Sequence, residues 1–344
     1  MAFVSIGLTL ELLMKLSFKY IFKLLCLGLP FFLGCKSQTQ LATINPSVCK
    51  ISFTVLGTGQ DGGAPQIGNH NDRAWTDPSA KLTAASGAVV NHETERYYLF
   101  EATPDIREQL YLLDETINAI DKPHTLSLSG VFITHAHIGH YAGLMMFGHE
   151  AAGRKNLPVY VMPRMASFLE NNGPWSQLVD FQNINLKRLE DKQTMPVEDS
   201  ITVTPYRVPH RDEFSETVGF VVETKEKSLL FLPDIDDWDE WEADFNISIE
   251  AMISKVDYAY LDATFFDDNE LPGRDMSLIP HPRMFGSAQR FSTLSATDKQ
   301  KVRFFHMNHT NPARYPSSPQ SQQIESMGFH IAKQGESICL EAQQ

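Results

Sequence analysis

Three imidazoles fall within six residues in Thr134-His135-Ala136-His137-Ile138-Gly139-His140, and the run that feeds them, Gly130-Val131-Phe132-Ile133, is wholly apolar. A short apolar run of this kind reads as a buried strand. Polar groups crowded at its exit are costly unless something uses them. Neutral histidine is the commonest protein ligand for transition metals, and a strand end feeding a loop is where α/β folds place their sites. The feature therefore constrains fold and chemistry together. Gly139 is its odd member.

Other apolar runs end the same way. His210 follows Tyr206-Arg207-Val208-Pro209, Asp234 follows Leu229-Leu230-Phe231-Leu232-Pro233, and His306 follows Val302-Arg303-Phe304-Phe305. Any one of these alone reads as a capping or hydrogen-bonded group. Together with His135, His137 and His140 they make five histidines and one aspartate, each at a strand's carboxyl end, and strand ends of one sheet lie side by side. Strands are also expected at 49–56, 86–91, 97–101, 158–162, 218–224, 258–262 and 337–340, with helices at Asp105–Ile120, His140–Ala152 and Asp239–Lys255. No Pro/Gly/Ser-rich linker divides residues 50–344, so the reading is one α/β domain built from two similar halves.

The order His135-x-His137-x-Gly139-His140, His210, Asp234, His306 resembles the metallo-β-lactamase superfamily, and the likeness covers essentially all of residues 50–340. Within it the chain is similar to the branch containing pyrroloquinoline-quinone synthesis protein B and the cyclic phosphodiesterase of the phosphonate pathway. The residues that carry this are Leu56-Gly57-Thr58-Gly59 with Gly62-Gly63-Ala64-Pro65-Gln66, Val161-Met162-Pro163-Arg164, Pro209-His210-Arg211-Asp212 with Thr217-Val218-Gly219-Phe220, and His306-Met307-Asn308 with Thr310-Asn311-Pro312. The resemblance implies an αββα sandwich as a single domain over 49–344. It implies one metal on His135, His137 and His210 and a second on His140, Asp234 and His306, with Asp234 bridging. Zn(II), as one or two ions, suits such a donor set, with Mn(II) or Fe(II) as alternatives. A metal-bound water acidified towards neutrality would be the nucleophile.

The chain departs from the family pattern at Gly139, where relatives carry an aspartate that ligates the second metal. Three accounts are open: a mono-metal site, another carboxylate in that role, or loss of hydrolysis. Asp61 in the glycine-rich loop and Asp212 beside His210 are the nearest candidates, although an Asp in such a turn also bonds its own backbone. The cysteines that often hold a structural zinc in this branch are absent after Gln66, so no cysteine zinc site is expected. His309 is a candidate proton donor or substrate ligand, with a structural role in the turn before Pro312 as the alternative. His149 reads as packed on a helix and His281 as a loop residue. The stretch Phe265–Phe291 reads as an insertion over the site, whose Arg274 and Arg283 would meet an anionic group or simply be solvated. Phe265, Phe266, Trp175, Trp238 and Trp241 line a pocket or belong to the core.

Ahead of the domain, Lys15, Lys19 and Lys23 flank an apolar stretch ending Leu33-Gly34-Cys35. This is the pattern of a secretory signal over 1–35, with Cys35 a candidate lipid-bearing residue as in a lipobox. Pro30 and the short apolar length argue against a spanning helix. Residues 36–48 read as a polar tether. Cys49 and Cys339, at the first and last strands, either pair as a disulfide in an exported protein or are two buried thiols. A net charge of -13 argues against phosphate-driven binding of nucleic acid. The expectation is an exported, lipid-anchored metal-dependent hydrolase of a small substrate, an anionic one included, with a phosphodiester, lactone or other ester-like bond. The alternatives are a mono-metal protein of quinone-synthesis type without hydrolysis, and a binding lipoprotein without catalysis.

Overall fold

Strand residues alternate between two hydrophobic layers, and this period of two builds the architecture. In Tyr258–Asp262, Tyr260 packs between sheets while Ala259 and Leu261 face helices; in Ser228–Leu232, Leu229 and Phe231 point inward and Leu230 and Leu232 outward. Phe53, Phe100 and Phe132 from one sheet meet Phe220, Phe231 and Tyr260 from the other, with Phe100 stacked on Phe132 at 5.1 Å between ring centroids. Two further clusters bury each sheet's outer face under its helices. The result is an αββα sandwich.

The computed structural model describes residues 48–117 and 127–343. The leader 1–35 with Cys35, and the tether 36–48 apart from Val48, fall outside them. One sheet contains β1 (Cys49–Gly57), β2 (Ser86–Asn91), β3 (Arg96–Phe100), β4 (Ser127–Phe132), β5 (Leu157–Val161), β6 (Ile184–Arg188) and β14 (Ser337–Ala342), in the order β14-β1-β2-β3-β4-β5-β6. The other contains β7 (Met195–Glu198), β8 (Ile201–Arg207), β9 (Val218–Glu223), β10 (Ser228–Leu232), β11 (Tyr258–Asp262), β12 (Val302–Phe305) and β13 (His330–Ile331), in the order β13-β12-β11-β10-β9-β8-β7. Each sheet runs through three antiparallel pairings and then three parallel ones. The two halves are similar in topology, as the alternation of elements suggests. The final strand β14 returns to the first sheet and takes beside β1 the place that β7 takes beside β8.

Direction now positions the site. β1, β3 and β4 run the same way in their sheet, as do β8, β10, β11 and β12 in theirs. Every polar residue singled out at a strand exit follows one of these strands. A disulfide joins Cys49 to Cys339, with Cα atoms 5.7 Å apart, and ties β1 to β14. Closing so long a loop is worth about 5 kcal/mol in the chain-entropy view.

Some helices differ from expectation. His140–Ala152 forms only the short helix Ile138–Tyr141 followed by the 3-10 turn Ala142–Phe147. The backbone there bonds outward, Ala102 N to His140 O and Gly143 N to Ala102 O, in place of a continued helical ladder. Asp239–Lys255 is two helices, Trp238–Phe245 and Ile249–Lys255, broken where Asn246 takes a left-handed conformation (φ 56°). The first expected helix spans Ile106–Thr116. No helix of the described residues is long and apolar enough to cross a membrane.

Candidate metal centre

His135 leaves the strand β4 through Ile133 and Thr134, His137 caps the short helix Ile138–Tyr141, and His140 lies within it. His210 follows β8, Asp234 follows β10 and His306 follows β12. These six gather into two adjoining sets. His135, His137 and His210 each offer a nitrogen within 4.8 Å of the others, and Asp61, His140, Asp234 and His306 offer two carboxylate oxygens and two nitrogens within the same distance of one another. Asp234 stands between the sets. Its Oδ2 lies 3.0 Å from His140 Nε2 and 3.2 Å from His306 Nε2, while its Oδ1 lies 3.7 Å from His210 Nε2.

Three of the rings are hydrogen-bonded from behind, and His140 faces a buried carboxylate there. His210 Nδ1 donates to Asp236 Oδ1 at 2.6 Å, and His140 Nδ1 faces Glu101 Oε1 at 3.2 Å. His135 Nδ1 donates to Thr134 Oγ1 at 2.8 Å, and that hydroxyl donates to Glu101. His306 Nδ1 donates to Thr264 Oγ1 at 2.9 Å, which donates to Asp262 Oδ1 at 2.7 Å. His137 is turned the other way, with Nε2 3.4 Å from Glu213. Such rear partners orient metal-ligating histidines and fix their tautomers. Two carboxylate–threonine pairs, Glu101 with Thr134 and Asp262 with Thr264, perform this support in the two halves.

Some of the forward atoms pair with one another, His210 Nε2 with His137 Nδ1 at 3.2 Å and His140 Nε2 with Asp61 Oδ1 at 3.0 Å, and others are left over. His135 Nε2, His306 Nε2 and Asp234 Oδ2 are buried without a hydrogen-bond partner, their mutual contacts being misaligned for one. Buried polar atoms in folded proteins are ordinarily satisfied, so this convergence of imidazole nitrogens and carboxylate oxygens fits a divalent metal. Backbone strain is present here as well. Glu101 (φ 74°) and His306 (φ 60°) are non-glycine residues in the left-handed region, which costs about 1–3 kcal/mol each and persists where surroundings enforce it.

The electrostatics divide the two sets. Burial, with the neighbouring imidazoles, holds His135 well below the ordinary histidine value, and burial lowers His137 too. Burial also works against charge on His306, but the facing Asp234 and Asp262 override it and hold that imidazole up at about 10. His140 is raised well above its ordinary value for the same reason, by Asp234 and Glu101 against the effect of burial. Burial pushes the Glu101 carboxyl up, although His140 and Thr134 favour its charged form.

Other candidates end up elsewhere or in different roles. Asp212 does not join the cluster: it is exposed, and its carboxylate pairs with Arg164 at 2.9 Å. Asp61 does join, with Oδ1 3.0 Å from His140 Nε2. His309 Nδ1 is engaged by Asn69 Nδ2 at 2.9 Å in the glycine-rich loop and belongs to neither set. His149 is half exposed beside Glu150, where a packed residue was expected. His281 is no plain loop residue. Its side chain is buried against the centre, with Nδ1 2.7 Å from Asp262 Oδ2 and 3.8 Å from Asp234 Oδ1. Arg283 does not await an anion, because its guanidinium is spent on Asp268 and on the carbonyls of Ile279 and His281. Trp238, Trp241, Phe265 and Phe266 are buried, and Trp238, Trp241 and Phe266 belong to a core cluster. Trp175 packs against Tyr141 and Phe168.

Sequence reasoning missed Glu101, Asp262 and His281. For the first two the signal was present, a lone acid at the end of an apolar strand, as for Asp234. For His281 the chain offers none, since its flanking prolines describe a loop and only the fold brings that loop over the centre.

A family model described as a beta-lactamase superfamily domain matches residues 96–307. Among known proteins, coenzyme PQQ synthesis protein B of Methylorubrum populi is 24% identical over 314 residues, covering 83% of this chain and 99% of that protein. The protein of the same name from Bradyrhizobium diazoefficiens is 25% identical over 332 residues, covering 84% of this chain and 100% of that one. Among solved structures, Zn(2+)-bound PqqB from Methylobacterium extorquens superposes with a TM-score of 0.67 at 20% identity, over 83% of this chain and 99% of that one. A diphosphatase of the PhnP family superposes with a TM-score of 0.58 at 20% identity, over 85% and 97%. With its paired mixed sheets and the strand-end cluster at one edge, the chain belongs to the metallo-β-lactamase superfamily.

Proposed function

We propose that this chain is an exported metal-dependent hydrolase acting on a small substrate with a phosphodiester, lactone or other ester-like bond. The observation that carries the reading is the set of inward nitrogens and Asp234 oxygens, with His135, His210 and His306 hydrogen-bonded from behind and none of those braces competing for the forward atoms. His135, His137 and His210 would hold one zinc ion, and His140, Asp234 and His306 a second, with Asp234 shared. Zinc so held supplies an acidified water and a positive seat for the oxygen that gains charge.

The chain's own residues do the rest. Asp236, Glu101, Thr134 and Thr264 fix the rings so that geometry is set before substrate arrives. His281, fixed by Asp262 through Nδ1, has Nε2 left to give a proton to a leaving oxygen. Burial disfavours its charge, but Asp262 and Asp234 raise its proton affinity above the ordinary histidine value, which suits an acid. Its ring centroid is 5.6 Å from that of His210 and 6.1 Å from that of His306, so the acid stands at the same opening as the two pockets. The similarity to a PhnP-family diphosphatase supports a phosphorus ester among the candidate bonds. The disulfide and the leader pattern support export, since such bonds persist in oxidising compartments.

The test uses the mature chain with bis(p-nitrophenyl) phosphate and a panel of lactones. Chelation should abolish turnover and Zn(II) or Mn(II) restore it; full activity in a metal-free sample would overturn the proposal. His281→Gln should slow substrates with alkoxide leaving groups far more than nitrophenolate esters, at unchanged metal content.

A second reading is a mono-metal protein of the PQQ-synthesis-B kind without hydrolysis. The end-to-end alignment with those proteins favours it. One metal ion per chain and no hydrolysis of any ester would select it.

A further inference from the structure

Gly139 has no room for a side chain, and the reason is a single residue. A Cβ built there would lie 2.5 Å from Asp61 Cα, 2.5 Å from Asp61 Oδ1 and 2.7 Å from Asp61 Cβ. Real Cβ atoms do not approach that closely, and two of these three atoms belong to the loop's backbone or its first side-chain carbon, which cannot swing aside. The occupant is a carboxylate. Its Oδ1 lies 3.0 Å from His140 Nε2 and 3.7 Å from His306 Nε2, and Asp234 Oδ2 approaches the same two nitrogens at 3.0 and 3.2 Å. Two carboxylates thus flank one pair of imidazoles, and His306 Nε2 and Asp234 Oδ2, both buried, have no hydrogen-bond partner.

The loop that delivers Asp61 is bolted to the segment that delivers His306. Gln60 N donates to Met307 O at 2.9 Å, Met307 N donates to Thr58 O at 2.8 Å, and Asn308 Nδ2 donates to Gln60 Oε1. Gly63 N donates to Gln60 O at 2.6 Å and closes the turn around Asp61. An aspartate that served only its turn would bond its own backbone; this one reaches out to His140 across the sheet edge.

The geometry points to Asp61 as the fourth protein ligand of the second metal pocket, delivered from the β1 loop into the space that Gly139 leaves free, so that the chain holds two ions. Glycine at 139 and aspartate at 61 are then one device: either both are present or the pocket fails. This rests on the metal-binding reading above and adds to it a specific ligand and an occupancy.

Zinc content of the full mature chain, measured by mass spectrometry after dialysis, tests it apart from activity. The wild type should carry two ions and Asp61→Asn one. Gly139→Ala should also carry one, because its methyl group expels Asp61. The exchange Asp61→Gly with Gly139→Asp should return the count to two, by supplying a carboxylate to the same space from the other side. Circular dichroism and retention of the first ion establish that each variant is folded. Two ions of unchanged affinity in Asp61→Asn, or one ion in the wild type, would overturn the assignment of Asp61 while leaving a metal-dependent hydrolase intact. No ion in the wild type would overturn both.

Discussion

The two pockets share an edge of one fold and yet are different chemical objects. The first, His135, His137 and His210, offers three imidazoles. Burial holds His135 and His137 below the ordinary histidine value, so these two imidazoles favour the neutral form that coordinates. The second, His140 and His306 with Asp61 and Asp234, holds imidazoles whose proton affinity is raised by the carboxylates facing them. In the metal-free chain those protons do part of a metal's work by neutralising buried charge. The lesson is that coordination strength and readiness are separable. The second pocket has the more attractive donors for a dication, but a metal must displace protons to reach them.

The widest break in the comparison comes from Asp234, the residue that belongs to both sides. Asp234→Asn should lower turnover by about two to three orders of magnitude and reduce zinc content in both pockets, whereas His210→Ala should empty only the first. Equal metal content in Asp234→Asn and the wild type would show that the pockets are independent.

A smaller effect is expected behind the rings. Glu101 faces His140 directly and steadies His135 through Thr134, so Glu101→Gln should weaken zinc binding in both pockets by about 10–100-fold. Asp236→Asn, which braces His210 alone, should weaken only the first. Calorimetric zinc titration of each variant reads this, and a Glu101→Gln effect confined to one pocket would dissolve the proposed symmetry of support.

The most graded test is pH. His306 in the fold holds its proton up to about 10, against 6.5 for a free imidazole. The sign follows: its contribution to the stability of the metal-free chain is complete below about 6.5 and is lost as pH rises through about 10. Zinc affinity of the second pocket should therefore climb between those values with release of protons, while the lowered proton affinities of His135 and His137 give the first no such climb there. Titrations in buffers of different ionisation enthalpy separate the two, and parallel slopes would erase the electrostatic distinction.

The core of this site was legible because its signal is local. An apolar strand that ends in a lone polar residue shows in the chain itself, and so His135, His137, His140, His210, Asp234 and His306 stood out before any fold was known. Glu101 and Asp262 carried the same signal at the ends of β3 and β11 and were overlooked because a single acid after a strand is ordinary. His281 carried no signal, since the insertion that holds it reaches the centre only through the packing of Phe265 and the anchoring of Arg283. The alternation of elements likewise disclosed two similar halves, but not that β14 crosses back to complete the first sheet.

The choice between Asp61 and Asp212 shows where sequence stops. Both are acids next to a motif, and nothing in their spacing separates them. By itself the sequence determined the strand-end histidines and an α/β chain of two similar halves, because strand periodicity and residue chemistry act over a few neighbours; the αββα layering and the missing carboxylate at Gly139 were implied by the family resemblance. Only the tertiary structure decided that Asp212 pairs with Arg164 in solvent while Asp61 occupies the space at Gly139. That outcome depends on loops from β1 and β12 being joined by backbone hydrogen bonds, and contacts between residues so far apart along the chain have no counterpart in local pattern.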